Sequence, residues 1–394
     1  MQQARRAFGN PHLSALVNWP EEPYFKNADF EIIPSPWQLV GAARGSPVPL
    51  QLARTLGGLL RAKFAAGSGG WERMFGAFQR ADMVIAVSGN QFYSTGRYGW
   101  PFPVQALPVQ LAHIFRKPFY VLPQTIGPLK RGWERTLMRF IYGRARMVFL
   151  REHISVRLAR EIGIPEEKLR YSPDPAFAYP AASRDEAQQI MGRWGWTPGT
   201  PTVGATVIAR MGRSLNPGAV DRYYVAVARA LARLSDEHGA FVYLFCQVTG
   251  PTTYDDDRTA AQTVMNMMGG QAREVRLVDE TLSPGQLKAC YGLMNLFLGS
   301  RLHSGIFALG MGVPSVLINY LSKTRGVLEA LGLGDWSVDL SDTSDAAFEE
   351  LICRVWLERS ERASRLAALL PEVIAQAAKP MEWIAQDYYA IEAR

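Results

Sequence analysis

Arg301-Leu302-His303 places a guanidinium and an imidazole one residue apart in the stretch Gly299-Ser300-Arg301-Leu302-His303-Ser304-Gly305, directly after the apolar run Leu296-Phe297-Leu298. Arginine offers a planar fork of donors suited to phosphate and carboxylate, and histidine moves a proton near neutral pH. At the junction between a strand and a helix both can face an anion, beside the free N–H groups of the helix N-terminus. A structural reading competes with this one, in which the arginine pairs with a carboxylate and the histidine caps the helix. Residue types alone leave the two readings even. Arg151 holds the equivalent place in the first half of the chain, after Met147 to Leu150. Two further polar residues follow strand-like runs there: Asn90 after Val84 to Val87, and Gln124 after Phe119 to Leu122.

Other clusters carry less. Gly127-Pro128 and Gly312-Val313-Pro314 are expected to fix turns, since glycine widens and proline narrows backbone freedom. Asp255-Asp256-Asp257 reads as a helix N-cap with solvated charge, not as a metal site. His12, His113 and His238 read as surface or packing residues. The chain has no nucleophile-elbow serine motif, Walker loop or GxGxxG fingerprint, so nucleotide-dependent chemistry loses ground.

The elements that must position these residues alternate. Short apolar runs (Met83 to Val87, Phe119 to Leu122, Met147 to Leu150) are separated by amphipathic stretches, which predicts βαβ units and mostly parallel sheets. Texture turns to Pro, Ala and Gly around Tyr179 to Pro201, and the alternation restarts at Thr202 to Val207. The expected division is a first Rossmann-like domain over 1–178, a linker over 179–200, a second Rossmann-like domain over 201–378 and a separate helix over 379–394. A chain of 394 residues exceeds the roughly 250–300 that one core organises, which agrees with two domains.

Hydrophobic residues make up 48% and charged residues 20%, ordinary for a globular protein. The formal charge of +7 comes from scattered residues without a basic block, which argues against nucleic acid and suits anionic substrates or work beside an acidic membrane face. Only 8 of the 43 basic residues are lysine, so any single arginine needs its position to argue for it. Cys246, Cys290 and Cys353 are widely spaced in apolar runs and are expected to be core thiols of a reducing compartment. Met1 to Asn10 lacks the apolar stretch of a signal peptide, and the uncharged stretch Leu302 to Ser322 is broken by Gly, Pro and Asn into a buried helix, turn and strand. The expected location is cytoplasmic, with peripheral association with the inner membrane face.

Several blocks in order resemble the polysaccharide pyruvyl transferases, over about Ala81 to Trp336: Asp82-Met83-Val84-Ile85, Pro123-Gln124-Thr125-Ile126-Gly127-Pro128, Leu150-Arg151-Glu152 with Ser155, Glu161 to Ile164, Pro173-Asp174-Pro175-Ala176-Phe177, Ser300 to His303 and Tyr320 to Gly326. The resemblance implies a GT-B-like α/β fold, two Rossmann-like domains facing a central cleft. It implies phosphoenolpyruvate as donor substrate, no further cofactor, no metal, and a glycan or lipid-linked sugar as acceptor. The product would be a pyruvate ketal with release of phosphate. Donor binding maps onto Arg151, Arg301 and Lys323, and His303 becomes the general acid/base, protonating the enol methylene or relaying an acceptor hydroxyl proton. Asn90 and Gln124 are the acceptor-side candidates. Nothing before Leu13 resembles the family's opening strand, and Ala15-Leu16-Val17-Asn18 resembles its second. The first strand is therefore expected to be missing, through truncation or a wrongly chosen start. Ser88-Gly89-Asn90 also replaces a more glycine-rich turn. Two other functions compete: a GT-B glycosyltransferase using a nucleotide sugar, and a non-catalytic glycan-binding scaffold. Acceptor sugar, ketal stereochemistry and oligomeric state are not encoded in these motifs.

Overall fold

A computed structural model describes residues 2–393 apart from 22–24, 27, 42–46, 65–68, 88, 90–91, 93–101, 210–216, 251–255, 270–273, 320–321 and 340–343. The chain divides into two units, Met1–Ser172 with Ala378–Arg394, and Pro173–Ala377.

The first unit runs α1 (Gln2–Phe8), β1 (Ser14–Val17), β2 (Glu31–Pro34), α2 (Pro36–Leu39), α3 (Val48–Phe64), α4 (Gly70–Arg80), β3 (Val84–Ala86), α5 (Phe102–Ile114), β4 (Phe119–Gln124), α6 (Gly132–Arg144), β5 (Met147–Leu150), α7 (His153–Glu161) and β6 (Leu169–Tyr171). Strands β3 to β6 pair in parallel and in sequence order, while β1 and β2 form a separate parallel pair. Their apolar runs pack with the connecting helices around Phe78, Val109, Val121, Ile141 and Val148. No described strand precedes Ser14; helix α1 stands there, and the segment likened to the family's second strand is β1.

The second unit runs α8 (Arg184–Gly192), β7 (Thr202–Thr206), α9 (Pro217–His238), β8 (Phe241–Phe245), α10 (Asp257–Met268), β9 (Val275–Val278), α11 (Pro284–Tyr291), β10 (Leu296–Gly299), α12 (Leu302–Gly310), β11 (Ser315–Asn319), α13 (Ser322–Ala330), β12 (Ser337–Asp339), α14 (Asp345–Leu357) and α15 (Arg359–Glu392). Its sheet is parallel throughout in the order β12-β11-β10-β7-β8-β9. The winding therefore reverses between β7 and β10, which makes their carboxyl ends the topological switch point of a doubly wound sheet. Strands buried on both faces, with Val242, Leu244, Leu298 and Val316 among their residues, read as near-continuous apolar runs.

Three expectations shift. The division falls at Ser172, and 179–200 is no linker: α8 buries Ala187, Ile190 and Met191 in a core shared with Tyr291 and Phe297. Nor is 379–394 a separate helix, since α15 continues through Pro371 and Pro380. A proline inside a helix removes a backbone bond and crowds the preceding turn, but α15 is held on both sides of Pro380. Leu366, Leu370, Val373 and Ala377 pack in the second unit, Met381 and Ile384 in the first. In the first unit Trp383 stacks on Phe149 at 5.7 Å, and Asp387 accepts from Tyr120 (2.7 Å) and from Arg146 Nε and Nη2 (2.5 and 2.8 Å). Burial and Asp387 raise the Tyr120 hydroxyl above its ordinary value. The uncharged stretch after Arg301 is the helix, turn and strand its glycines and proline predict. No helix among the described residues is long and apolar enough to cross a membrane.

Candidate active site

The switch point gathers the Arg301 segment. Strand β10 pairs with β7, so Ser300 follows the sheet edge beside Thr206, and its N–H points at the Thr206 carbonyl (3.3 Å). Hydroxyl groups lock the two strand ends together: Thr206 Oγ1 and Ser304 Oγ lie 2.7 Å apart, and Tyr223 donates to Ser300 Oγ at 2.6 Å. Helix α12 then sits unusually close to the sheet. A Cβ on Gly305 would meet the Leu317 side chain at 2.4 Å, so only glycine permits this approach. The close seating aims the first turn of α12, which carries His303, along the switch-point edge.

Arg301 is the N-cap of α12 and makes no side-chain cap bond to it. Its guanidinium instead donates in a bidentate pair to Asp257, Nε to Oδ2 at 2.7 Å and Nη2 to Oδ1 at 2.6 Å. Asp257 is fully buried at the start of α10, so the expectation of solvated charge for that aspartate is overturned; Asp256 is the N-cap, accepting from the Arg258 N–H. Burial pushes the Asp257 carboxyl up, against the pull of Arg301 and of the Val248 N–H. The structural reading of Arg301 is therefore realised in part, with a carboxylate reached from 44 residues away. Its side chain keeps 18% exposure at the loop surface.

His303 is half exposed, and its Nε2 lies 4.0 Å from Asp174 Oδ2, whose side chain is buried. The N-cap of the helix is Arg301, two residues earlier. Asp174 caps the short turn Pro175–Ala178 by accepting from the Ala176 N–H at 2.9 Å. That turn is clamped by Lys288 of α11, whose ammonium donates to the carbonyls of Ala176 (3.2 Å), Phe177 (2.8 Å) and Tyr179 (2.7 Å). Burial lowers Lys288 to about 8. A buried carboxylate beside a half-exposed imidazole can orient the ring. The N-terminus of α12 adds partial positive charge at the same edge.

The other expected residues stand elsewhere. Lys323 is the second residue of α13, after β11, the neighbour of β10; its side chain is outside what the structure describes. Asn90 also lies outside the described residues. Arg151 and Gln124 belong to the first unit and are buried. Arg151 Nε donates to Thr125 Oγ1 at 2.9 Å, and its N–H points at the Gln124 carbonyl at 3.4 Å. Glu152 caps α7 and binds the Ser155 hydroxyl, while the Ile126 N–H donates to Ser155 at 2.8 Å. Both polar atoms of the Gln124 amide are buried with no hydrogen-bond partner among the described residues. Gly127 adopts φ 86° in the turn its position predicts.

Sequence reading missed Asp174 and Asp257 as site residues. The first lies in Pro173-Asp174-Pro175, which reads as a turn, and the second in an acidic run with no mark of burial. One group among the described residues brings possible metal ligands together, Glu237, His238 and Cys353, within 4.8 Å. Glu237 there pairs with Arg233 at 2.9 Å, and burial raises the Cys353 thiol, which disfavours the thiolate a metal needs. All three cysteines are free and buried.

Comparison with solved structures gives the fold. UDP-GlcNAc 2-epimerase of Neisseria meningitidis bound to UDP-GlcNAc superposes with a TM-score of 0.59 at 11% identity, covering 99% of this chain and 94% of the other. Anabaena HepE in complex with UDP and glucose gives 0.52 at 13% identity, over 82% and 81%. A glycosyltransferase of Rickettsia africae gives 0.53 at 9%, over 98% and 92%. The α/β fold with parallel sheets is GT-B-like. Among curated proteins, the amylovoran biosynthesis protein AmsJ of Erwinia amylovora is 27% identical over 273 residues, which are 68% of this chain and 63% of AmsJ. The sequence pattern of the polysaccharide pyruvyl transferases matches residues 5–322, and the chain belongs to that family.

Proposed function

We propose that this transferase takes the pyruvyl group of phosphoenolpyruvate and builds it as a ketal on two hydroxyls of a cell-surface polysaccharide or its lipid-linked precursor. The observation that carries the reading is His303 standing half exposed against buried Asp174 at the switch point, beside Arg301. An enol phosphate brings a phosphate and a carboxylate, and the α12 N-terminus, Arg301 and Lys323 are the cations and dipole we assign to them. Arg151 is buried, and we give it a supporting role beneath its loop.

The chemistry balances with one proton relay. His303 protonates the methylene carbon, which becomes the methyl group, and the carbon bearing phosphate becomes an oxocarbenium. One acceptor hydroxyl adds there and returns its proton to His303. Phosphate then leaves with its bridging oxygen, and the second hydroxyl closes the ketal while its proton goes to phosphate. Asp174 stabilises the imidazolium in each protonated state.

The test is incubation of the full chain with an acceptor glycan and either phosphoenolpyruvate or a sugar nucleotide. Phosphate release with the first, accompanied by an acidic glycan of one added pyruvate, is the expected result. Turnover only with the sugar nucleotide would establish a glycosyltransferase instead, and turnover with neither would favour a glycan-binding scaffold.

A further inference from the structure

Helix α3 (Val48–Phe64) is amphipathic the wrong way round for a helix packed on a protein core. Its inward side carries Gln51, which is buried, half-buried Thr55 and buried Gly58, where a Cβ would run into the Trp71 ring of α4. Its outward side carries Val48, Leu52, Leu56 and Leu60, one every fourth residue, all exposed, with Leu56 and Leu60 at 64% and 62%. Residues at that spacing form one ridge of side chains, here about 18 Å long. Soluble helices place such a ridge inward, and a contiguous apolar ridge left in water marks a contact surface.

Charge narrows the partner. The first unit holds 25 Lys and Arg against 14 Asp and Glu, a net of +11, while the second holds 18 against 22, a net of −4. Over α3 and α4 the basic residues are Arg54, Arg61, Lys63, Arg73 and Arg80, and the acidic one is Glu72. A second copy of so basic a unit would be repelled by the first. A straight leucine ridge on a cationic unit complements an anionic, apolar plane, the surface of a bilayer with acidic headgroups.

We propose that α3 is a membrane-surface helix that seats the Leu52-Leu56-Leu60 ridge among the acyl chains of an anionic leaflet. Binding does not depend on the ketal-forming reading, because vesicle association is read without turnover. The test is co-sedimentation of the purified full chain with vesicles of phosphatidylcholine alone and of phosphatidylcholine with phosphatidylglycerol. The expected result is association with the anionic vesicles, weakened by salt, and at least about tenfold weaker for the Leu56→Ser/Leu60→Ser variant, since each leucine removes several buried carbons from the interface. Both leucines are solvent-exposed, so circular dichroism of the variant should match the parent. No association with either vesicle, or equal association of parent and variant, overturns the proposal. So does a concentration-dependent dimer that the same variant abolishes, which would assign the ridge to a second copy.

Discussion

The two units use the same device, a basic residue just after a parallel strand, and bury it differently. In the second unit Arg301 follows β10, where the winding reverses, and both it and His303 keep contact with solvent. In the first, Arg151 follows β5, which lies between β4 and β6 in simple sequence order; its side chain is buried and donates to Thr125. A reversal sends successive crossovers to opposite sides and leaves a crevice between two strand ends. Consecutive strands leave none of that kind. Topology, more than the residue after the strand, separates the candidate reactive loop from the supporting one.

The largest effect should come from the exposed imidazole. His303→Ala should lower kcat by about 10²- to 10⁴-fold, the range for a lost general acid/base, with the melting temperature unchanged. Arg151→Met should do the reverse, lowering the melting temperature and leaving the KM for phosphoenolpyruvate near the parent's. A raised KM with unchanged melting would erase the contrast and place Arg151 against substrate. Next in size is Asp257→Ala, which leaves Arg301 without its carboxylate. Breaking a buried pair from one side costs about 3–5 kcal/mol, read as a lower denaturant midpoint of the second unit. A variant that kept its midpoint would mean that water already solvates the Arg301–Asp257 pair.

Much of this contrast was not legible in the chain. Strands β8, β10 and β11 announce themselves because burial on both faces makes them near-continuous apolar runs. Strands β6 and β12 have three residues each, too few to show a period, and passed unread. Helix α3 carries its leucines at helical spacing, but the spacing does not say that they face outward. The Arg301–His303 pair was visible from spacing at a strand end. Asp257 and Asp174 were not, since their partners lie 44 and 129 residues away and only the folded sheet brings them together. The order of strands, which decides which loop lies at the reversal, is a property of pairing that no local pattern records.

The smallest effect tests what supports the exposed loop. The turn carrying Asp174 hangs on the Lys288 ammonium, and burial holds that group to about 8 against an ordinary value of 10.5. Between those values the unfolded chain binds more protons than the folded one, so stability rises with pH across the window and is lost as pH falls through about 8. The parent should therefore gain about 1–2 kcal/mol over Lys288→Met between pH 7.5 and pH 10, measured by denaturant unfolding of the second unit. A flat difference would mean that the three carbonyls keep the ammonium charged throughout. The support beneath the candidate reactive loop would then be sensitive to pH, through the Lys288 ammonium that clamps the Asp174 turn.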